Sequence, residues 1–502
     1  MESNLQNGIF FNIKENPFLQ RSAEDELSFL SEIYYKPVYY DDLMNNAICG
    51  SSRMLIGQRG LGKSATIHTL FSELKEKKTL PLLITRYDNI PLSDNECYFL
   101  YQILQTLCNG IAQHLFINDT DRKKLNKSQK ESLAFFIEMF YDSRTSEDYI
   151  KAAKEIKARN RLNWLRRLYN STLPVINGMI SGAVEICGDS IRKAIGLDKA
   201  DIQNIAKEYF KEANLNQVKS LPMNEVVGWG KDHLIKLLKQ LKSIANVVGY
   251  QSIVVLFDKI DEYPAVNADV EKIVTFIKDI LLDTDLLYIQ GVSIVFSIWS
   301  DAKRALNKAG FRYDKFEDIN IEWTDDELEA LINKRLLYFS IDKQSPVTMN
   351  SLIPNPNDKK DVLELAGGSP RSLIKLLGTL YNLEHNSHNL TSFRPESISR
   401  GTIQYCKTFD YYSNQSYKAA GKIDLYGWIN RILQMKRIFF SAEVLKDEFG
   451  LNIKGPATYV QNMTKYGLIR ECLRPGDDGL PIYEVIEPRI KYLISRGILE
   501  IS

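Results

Sequence analysis

The chain has little of what marks membrane proteins, disulfide-stapled proteins and general nucleic-acid binders. Its 502 residues contain no run of eighteen or more apolar residues, so we expect no membrane-spanning helix and no membrane partner. The six cysteines are scattered, with no C-x-x-C pair and no histidine at zinc spacing, which favours buried, reduced thiols. A net charge of +1 provides no overall field that would attract nucleic acid. Because the opening residues do not resemble a signal peptide, we expect a cytoplasmic protein.

One eight-residue stretch fits the phosphate-loop pattern G-x-x-x-x-G-K-[ST] without a mismatch. Its residues are Gly57, Gln58, Arg59, Gly60, Leu61, Gly62, Lys63 and Ser64. Glycines let the backbone curl so that successive N–H groups point at phosphate oxygens, while the lysine reaches the β- and γ-phosphates and the serine hydroxyl binds Mg²⁺. We expect these eight residues, with Ala65, to bind the phosphates of a nucleotide. The alternative is a glycine-rich turn with a solvated lysine.

The residues on either side of this loop supply the context that the motif requires. Residues 53–56 form a short, mostly apolar run, as expected of a buried strand. Residues 65–74 place their apolar side chains at helical spacing on one face. The order of strand, loop and helix puts the positive end of the helix dipole at the phosphates.

A second strand supplies acidic side chains. Residues 253–257 are all apolar, as expected of a central parallel strand, and Asp258 follows them at the end where ligands bind in open α/β sheets. The continuation gives the pattern D-x-x-D-E. We interpret Asp258 as the carboxylate on the Mg²⁺ side, acting through water, and Glu262 as the favoured general base, with Asp261 close behind. The alternative is an acidic turn after a strand.

Two further segments offer residues for the same site. Residues 291–300 form another buried strand with a polar end, where Ser297 and Ser300 are candidates to contact the γ-phosphate or the attacking water. Alternation does not choose between them, because a strand buried on both faces hides its register. Arg371 follows a proline at the start of a helix, where the dipole disfavours a cation, so it needs a nearby anion. That anion is either a nucleotide phosphate or a surface carboxylate.

The P-loop, the D-x-x-D-E pattern and the later G-x-P-R, in this order, resemble the AAA+ and STAND-type ATPases, most closely the branch shared with origin-recognition and replication-initiator ATPases. The resemblance implies ATP and Mg²⁺ as ligands, an α/β P-loop core with a parallel sheet of order 5-1-4-3-2, and Arg371 as the lid arginine called sensor 2. It implies that an arginine finger, offered to a neighbouring subunit, is Arg304 or Arg312. Residues 16–18 and 34–37 are similar to the stretch that packs on adenine in that branch.

Three departures qualify the resemblance. The D-x-x-D-E pattern replaces the commoner D-E pair and leans towards STAND-like switches, and no clear asparagine ends the fourth strand. Lys63 and Asp258 are also 195 residues apart, far more than a single crossover needs. We therefore expect a large helical insertion. The predicted domains are 1–95 for an N-terminal segment and the first half of the ATPase core, 96–248 for the insertion, 249–323 for the second half of the core, 324–415 for a helical lid and 416–502 for a winged helix.

The predicted winged helix leaves the partner open. Three helices over 424–435, 442–449 and 455–466 precede two strands over 468–473 and 481–486, joined by a turn at 474–479. Polar residues of the third helix, Thr458, Gln461, Asn462 and Lys465, are suited to base edges. The segment is only modestly basic, however, and the acidic turn would repel phosphates. Duplex DNA and a protein partner both stay possible.

Three functions follow from these observations. The first, which we favour, is an ATP-driven switch that assembles as a homo-oligomer or engages a partner through the insertion; the resemblance permits a role in bacterial anti-phage defence. The second is an initiator- or loader-like ATPase that grips DNA through the winged helix, which a steep salt dependence of duplex affinity would distinguish. The third is an interaction module that holds nucleotide and hydrolyses little.

Overall fold

The structure, a computed structural model of the chain, describes residues 11–19, 22–140, 223–311, 317–384, 390–412, 424–450, 455–473 and 480–501. Several sequence predictions lie outside these ranges: most of the middle of the 96–248 segment, Arg312 among the two finger candidates, and the turn at 474–479.

A five-stranded parallel sheet forms the centre of the first half of the chain. Its strands are β1 (Arg53–Gly57), β2 (Thr79–Ile84), β3 (Ser252–Phe257), β4 (Val292–Trp299) and β5 (Asp318–Asn320). They lie in the order β2-β3-β4-β1-β5, which confirms the predicted order 5-1-4-3-2 and the parallel α/β class. Every residue of β3 and β4 is buried, because helices cover both faces of the sheet.

The strand order decides which loops meet. β4 pairs with β1 on one side and with β3 on the other, and all three strands run in the same direction. The loop after β1, at residues 57–62, and the acidic turn after β3, at 258–262, therefore leave the sheet at one edge, separated by β4 alone. This is the edge at which open α/β sheets bind ligands.

Helices account for most of the remaining described residues in this half. They are α1 (Leu30–Ile33), α2 (Tyr40–Ile48), α3 (Lys63–Leu74), α4 (Glu96–Ile117), α5 (Asp119–Arg122), α6 (Lys127–Phe140), α7 (Met223–Val227), α8 (Lys231–Val247), α9 (Val270–Leu282), α10 (Thr284–Leu287) and α11 (Asp301–Lys308).

The two ends of the predicted 96–248 insertion pack with the sheet. α4 lies on β2, and an added Cβ at its Gly110 would come within 3.3 Å of the Leu80 side chain, so this glycine permits the close approach. α8 packs on α4, and both helices share one buried cluster with the sheet. Leucines and isoleucines at helical spacing over 224–248 predict a single amphipathic helix. The structure has two helices there instead, because the chain turns at Gly230, where φ is +85°.

The second half of the chain is mainly helical. Its helices are α12 (Asp325–Phe339), α13 (Met349–Leu352), α14 (Pro356–Ala366), α15 (Pro370–Leu383), α16 (Pro395–Lys407), α17 (Leu425–Met435), α18 (Ala442–Phe449), α19 (Gly455–Lys465) and α20 (Pro488–Ser495). The start of α12 is fixed by a capping box between Thr324 and Glu327.

A small antiparallel sheet accompanies the last helices. Its strands are β6 (Phe439–Ser441), β7 (Ile469–Glu471) and β8 (Ile482–Val485), in the order β6-β8-β7. The sequence indicated β7, β8 and the three helices before them, but β6 and α20 were missed. On α19, Gln461 and Lys465 are exposed. The interpretation of this segment as a winged helix that binds DNA or protein stays a prediction.

One buried cluster joins three parts of the chain that the predicted domains separate. It contains side chains of the lid helices, of the C-terminal helices and strands, and of the N-terminal segment, where Phe11, Ile13 and Phe18 are at most 5% exposed. The ring of Phe11 lies 5.0 Å from that of Phe393. Residues 11–18, which belong to the predicted N-terminal segment, therefore pack on the helices of the predicted lid.

The structure tests two expectations from the sequence, buried thiols and the lack of a membrane-spanning helix, for the described residues. The five described cysteines are free thiols, and Cys108 and Cys406 are buried as expected. Cys49 is exposed, contrary to expectation, since it follows the last turn of α2 at the surface. Within the described residues, none of the helices combines the length and apolar character needed to cross a bilayer.

Arg489 connects the C-terminal helix to the loop that precedes α15. It is 6% exposed; its Nη2 donates to the Ala366 carbonyl at 3.2 Å and its Nη1 to Glu487 at 2.7 Å. Its guanidinium carbon lies 3.8 Å from the centroid of the Phe409 ring. The residue thereby fixes the end of α14, from which the chain continues to Arg371.

We expect Arg489→Met to lower the free energy of unfolding by about 2–4 kcal/mol. It removes a charged hydrogen bond to the Ala366 carbonyl, which then keeps only the bond from the Ser369 N–H, and it leaves the Glu487 carboxylate without its cation. Urea unfolding measures this change. Arg496→Met is the matched control. This arginine directly follows α20 and is exposed, and its Nη2 lies 3.7 Å from Asp361 Oδ2, so its loss should cost about 0–1 kcal/mol. Equal losses in the two variants would contradict the bridging role.

Candidate functional site

A cavity of 290 Å³ lies at the edge of the sheet where the two loops meet. Its size is close to the lower end of the range for small-molecule pockets. Five parts of the chain line it: the N-terminal segment before α2, the loop between β1 and α3, the turn after β3, residues 323–335 at and before α12, and the residues around the start of α15. The predicted site residues that line it are Arg59, Gly60, Gly62, Lys63, Ser64, Ala65, Asp258, Asp261, Glu262 and Arg371.

The loop after β1 has the backbone that its glycines predict. Gly60 and Gly62 have φ of +84° and +92°, a region in which a side chain would be strained. α3 begins directly at Lys63, so the N–H groups of its first turn have no partner within the helix. They form the positive end of the helix dipole, and this end lies at the cavity. This arrangement favours an anion at the loop.

The ammonium of Lys63 is folded back over the loop. It donates to the carbonyls of Gly57 at 2.7 Å and Gln58 at 3.0 Å. Burial lowers the pKa of Lys63, and the nearby Asp261 and Asp258 oppose that shift. A buried cation at the mouth of an anion site is what a phosphate group would neutralise.

Asp258 is the most buried acid of the site. It is 1% exposed, and its Oδ2 has no hydrogen-bond partner among the described residues. The Tyr87 hydroxyl donates to its carbonyl at 2.7 Å and so fixes the end of β3. A buried carboxylate oxygen without a partner is costly unless a ligand or an ion satisfies it.

The two candidates for the general base, Asp261 and Glu262, lie in the turn after Asp258 and differ in their partners. Lys259 has φ of +62°, which bends the chain so that residues 260–262 form one turn of 3₁₀-helix. Asp261 accepts a charged hydrogen bond from the Nε of Arg59 at 3.2 Å. Glu262 forms no ion pair within the described part of the chain, and burial of its carboxyl, followed by repulsion from Asp261, raises its pKa. Glu262 is therefore the acid that is free to accept a proton.

The oxygen donors at the site suit Mg²⁺. Ser64 and Asp258 both line the cavity, and the unpartnered Oδ2 of Asp258 is the kind of hard ligand that this ion prefers. Two further groups at this position were not predicted from the sequence: ligand atoms of Glu24 and His68 lie within 4.8 Å of one another and of Asp258. The Lys259 ammonium already pairs with Glu24 at 2.8 Å, so Ser64 and Asp258 stay the predicted metal ligands.

The lid contacts the phosphate loop directly. The backbone N–H of Arg371 and the hydroxyl of Ser369 both donate to the Gly60 carbonyl at 3.3 Å, and Trp323 Nε1 donates to the Leu61 carbonyl at 2.9 Å. A Cβ on Gly60 would lie 2.9 Å from the Ser369 hydroxyl, so glycine is required for this contact. Trp323 and Ser369 were missed, because a hydrogen bond to a distant carbonyl leaves no trace in a sequence.

Arg371 lines the cavity with an exposed side chain. It follows Pro370, the first residue of α15, and within the described residues its guanidinium forms no ion pair. The surface carboxylate that was the alternative partner is thus not found there. The cation at the start of α15 is available to a ligand in the cavity.

The other predicted residues lie around the cavity without lining it. Gln58 bridges β4 and α11: its Oε1 accepts from Trp299 Nε1 at 2.7 Å and its Nε2 donates to Asp301 at 2.9 Å. Ser297 and Ser300 have buried hydroxyls with no partner among the described residues, and the backbone N–H of Ser300 donates to Gly57. Gly57 and Leu61 also stay outside the lining, and Arg304 is exposed on α11.

An apolar wall lies beside the polar part of the cavity. Tyr34 and Tyr35 contribute to it, together with Leu331 of α12 and Ile374 of α15. The Tyr34 carbonyl accepts from Lys334 at 2.6 Å, which ties this wall to the lid. Of the residues similar to an adenine-binding stretch, Tyr34 and Tyr35 line the cavity, whereas residues 16–18 do not.

Comparisons with known proteins find weak likenesses. No protein-family model and no curated protein matches the chain. The ORC2 protein of Aeropyrum pernix, solved as ADPNP and ADP complexes, aligns at 10% identity over 94% of this chain and 97% of its own, with a TM-score of 0.43. A Walker-type ATPase of Pyrococcus abyssi aligns at 12% identity over 95% and 96%, with a TM-score of 0.33. Drosophila ORC bound to DNA aligns at 9% identity over 99% and 95%, with a TM-score of 0.31. Likenesses with such low TM-scores carry no argument about this chain, so the fold and the site are described from its own geometry.

The raised pKa of Glu262 predicts a gain in stability on its neutralisation. Since folding disfavours the charged carboxyl, Glu262→Gln should raise the melting temperature at pH 7, by about 1–2 °C because solvent screens an exposed group. The gain should vanish as the pH falls below about 4.3, where the carboxyl is protonated in the unfolded chain as well. Glu271→Gln, at the favourable start of α9, should give no gain. A gain that persists at low pH would contradict the assigned cause.

Proposed function

We propose that this chain binds ATP with Mg²⁺ and hydrolyses it to ADP and phosphate, and that the bound nucleotide controls the position of the lid. The observation that carries the proposal is the meeting of the glycine loop after β1 and the acids after β3 around one cavity, with the lid arginine at its rim. The apolar wall beside the polar part gives room for a base. The choice of ATP follows the sequence resemblance.

Each residue has a role that its position supports. The amides of residues 60–64 and the Lys63 ammonium bind the β- and γ-phosphates, and Arg371 contacts them from the lid. Ser64 and Asp258 would hold Mg²⁺, which would neutralise charge on the phosphates. Catalysis is then mainly positioning and electrostatic stabilisation.

Glu262 acts on the attacking water. Its carboxylate accepts a proton as the water oxygen forms a bond to the γ-phosphorus, and the bond from that phosphorus to the bridging oxygen breaks, which leaves ADP and phosphate. The raised pKa of Glu262 suits this step, because a base is most effective when its pKa approaches the working pH.

Lys63→Ala and Glu262→Gln test hydrolysis. We expect phosphate release to fall at least about 100-fold in each, because the first loses a charge that stabilises the transition state and the second loses the base. Glu262→Gln should still bind the nucleotide, whereas Lys63→Ala should bind it weakly. Release is measured with purified protein, ATP and Mg²⁺.

Lys77→Ala and Glu271→Gln are the matched controls, since both side chains are exposed and outside the cavity. They should retain the rate of the wild type. If Lys63→Ala and Glu262→Gln release phosphate as fast as these controls, the protein is a nucleotide-holding module and not an ATPase.

The contacts between the lid and the loop support a switch. Arg371, Ser369 and Trp323 reach the same loop that would bind the phosphates, so the nucleotide and the lid position are coupled. Arg304 on α11 is exposed, as an arginine that contacts a neighbouring subunit would have to be. We therefore propose that ATP favours an assembled form.

Light scattering after size exclusion tests the assembly. We expect a larger mass with a non-hydrolysable ATP analogue than with ADP, because only the triphosphate provides the charge that a finger arginine would bind. Arg304→Ala should lose the difference in mass while it keeps nucleotide affinity. The same mass with both nucleotides in the wild type would argue against an assembly switch.

A further inference from the structure

The side chain of Arg59, in the middle of the phosphate loop, reaches across the cavity to the acidic turn after β3. Its Nε donates to Asp261 Oδ2 at 3.2 Å, and the Asp261 side chain is only 11% exposed. The arginine itself is one-third exposed and lines the cavity. A loop residue that was expected to contribute backbone amides therefore also holds one of the two acids beside the expected reaction centre.

The end of β4 supports the arginine from behind. The guanidinium carbon lies 5.6 Å from the centroid of the Trp299 ring, and that indole is 1% exposed. Trp299 is in turn fixed by its hydrogen bond to Gln58, the neighbour of Arg59 in the loop. Asp261 and the indole thus hold the guanidinium at the cavity without a ligand.

A triphosphate in the cavity would compete with Asp261 for the guanidinium of Arg59. Asp261 offers Arg59 one negative charge, whereas a terminal phosphate offers about two, so at equal distance the phosphate attracts the guanidinium about twice as strongly. The planar guanidinium also suits a bidentate bond to phosphate oxygens. A diphosphate also ends in a charged phosphate, but at the β position; the γ position stays empty, so Arg59 keeps its pair with Asp261.

We infer that Arg59 is a sensor of the γ-phosphate: its guanidinium leaves Asp261 for the terminal phosphate of a bound triphosphate. The inference rests on the proposed function and adds a consequence to it. The released Asp261 carboxylate lies next to Glu262, and its negative charge favours proton uptake by that base. The phosphate to be cleaved thereby activates its own site, and the ADP state restores the ion pair.

Binding of two nucleotides to five proteins, the wild type and four variants, tests the exchange. Calorimetry should show that the wild type binds a non-hydrolysable ATP analogue at least about tenfold more tightly than ADP, and that Arg59→Ala loses this preference through weaker binding of the analogue alone. Arg59→Lys should keep part of it, because it retains the charge and not the fork. Asp261→Asn should bind the analogue more tightly than the wild type, since Arg59 no longer has to leave a carboxylate. Arg400→Ala, an exposed arginine of α16, is the control for loss of a positive charge.

Tryptophan fluorescence provides a readout that is independent of hydrolysis. Because Arg59 lies over Trp299, its departure should change the Trp299 emission, which is isolated by subtracting the spectrum of Trp299→Phe. The ATP analogue should produce the change in the wild type, ADP should not, and Arg59→Ala should show none. Thermal unfolding of each variant establishes that it is folded.

The two proposals fail in different ways. If the wild type binds neither nucleotide, the proposed function is wrong and the sensor is wrong with it. If the wild type binds and hydrolyses ATP, but Arg59→Ala keeps the preference for the analogue or weakens both nucleotides equally, Arg59 is a structural ion pair and only the sensor is overturned.

Discussion

The pairing of β4 between β1 and β3 is the constraint on which the site depends. Adjacent strands lie about 4.8 Å apart, so the loop after β1 and the turn after β3 leave the sheet about 10 Å from each other. Because all three strands are parallel, both segments leave at the same edge. That separation leaves room for a phosphate chain between an anion-binding loop and a row of acids. The burial of β3 and β4 on both faces makes the arrangement rigid.

The lid is built into this arrangement through a few hydrogen bonds to loop carbonyls. Gly60 and Leu61 accept from Ser369, Arg371 and Trp323, so the loop that would hold phosphates also fixes the lid. The lid, the C-terminal elements and residues 11–18 share one buried core, and Arg489 ties the last helix to the end of α14. A change at the cavity can therefore reach the C-terminal segment through packed side chains, which is the physical requirement for a switch.

Much of the sheet and the local composition of the site could be predicted. Short apolar runs predicted the buried strands β1, β3 and β4. The glycines at 57–64 predicted a tightly curled loop, and Gly60 and Gly62 have the positive φ that such a loop requires. The strand order came from resemblance and is confirmed. The errors have physical reasons. The helix predicted over 224–248 is broken because Gly230 turns the chain, and β6 was missed because it is only three residues long. The packing of Phe18 against the helices of the lid could not be predicted, because its neighbours in the sequence carry no signal of that contact.

The sequence by itself determined which residues can bind phosphate and metal, since a P-loop and a strand ending in acids are local patterns whose chemistry lies in residue type and spacing. Only the tertiary structure decided how those residues are paired: that Arg59 holds Asp261, that Glu262 stays free, that Trp299 lies behind the guanidinium, and that Trp323 and Ser369 reach the loop. The reason is that these contacts join residues more than 200 positions apart, and their distances are set by strand order and packing rather than by any neighbour in the chain.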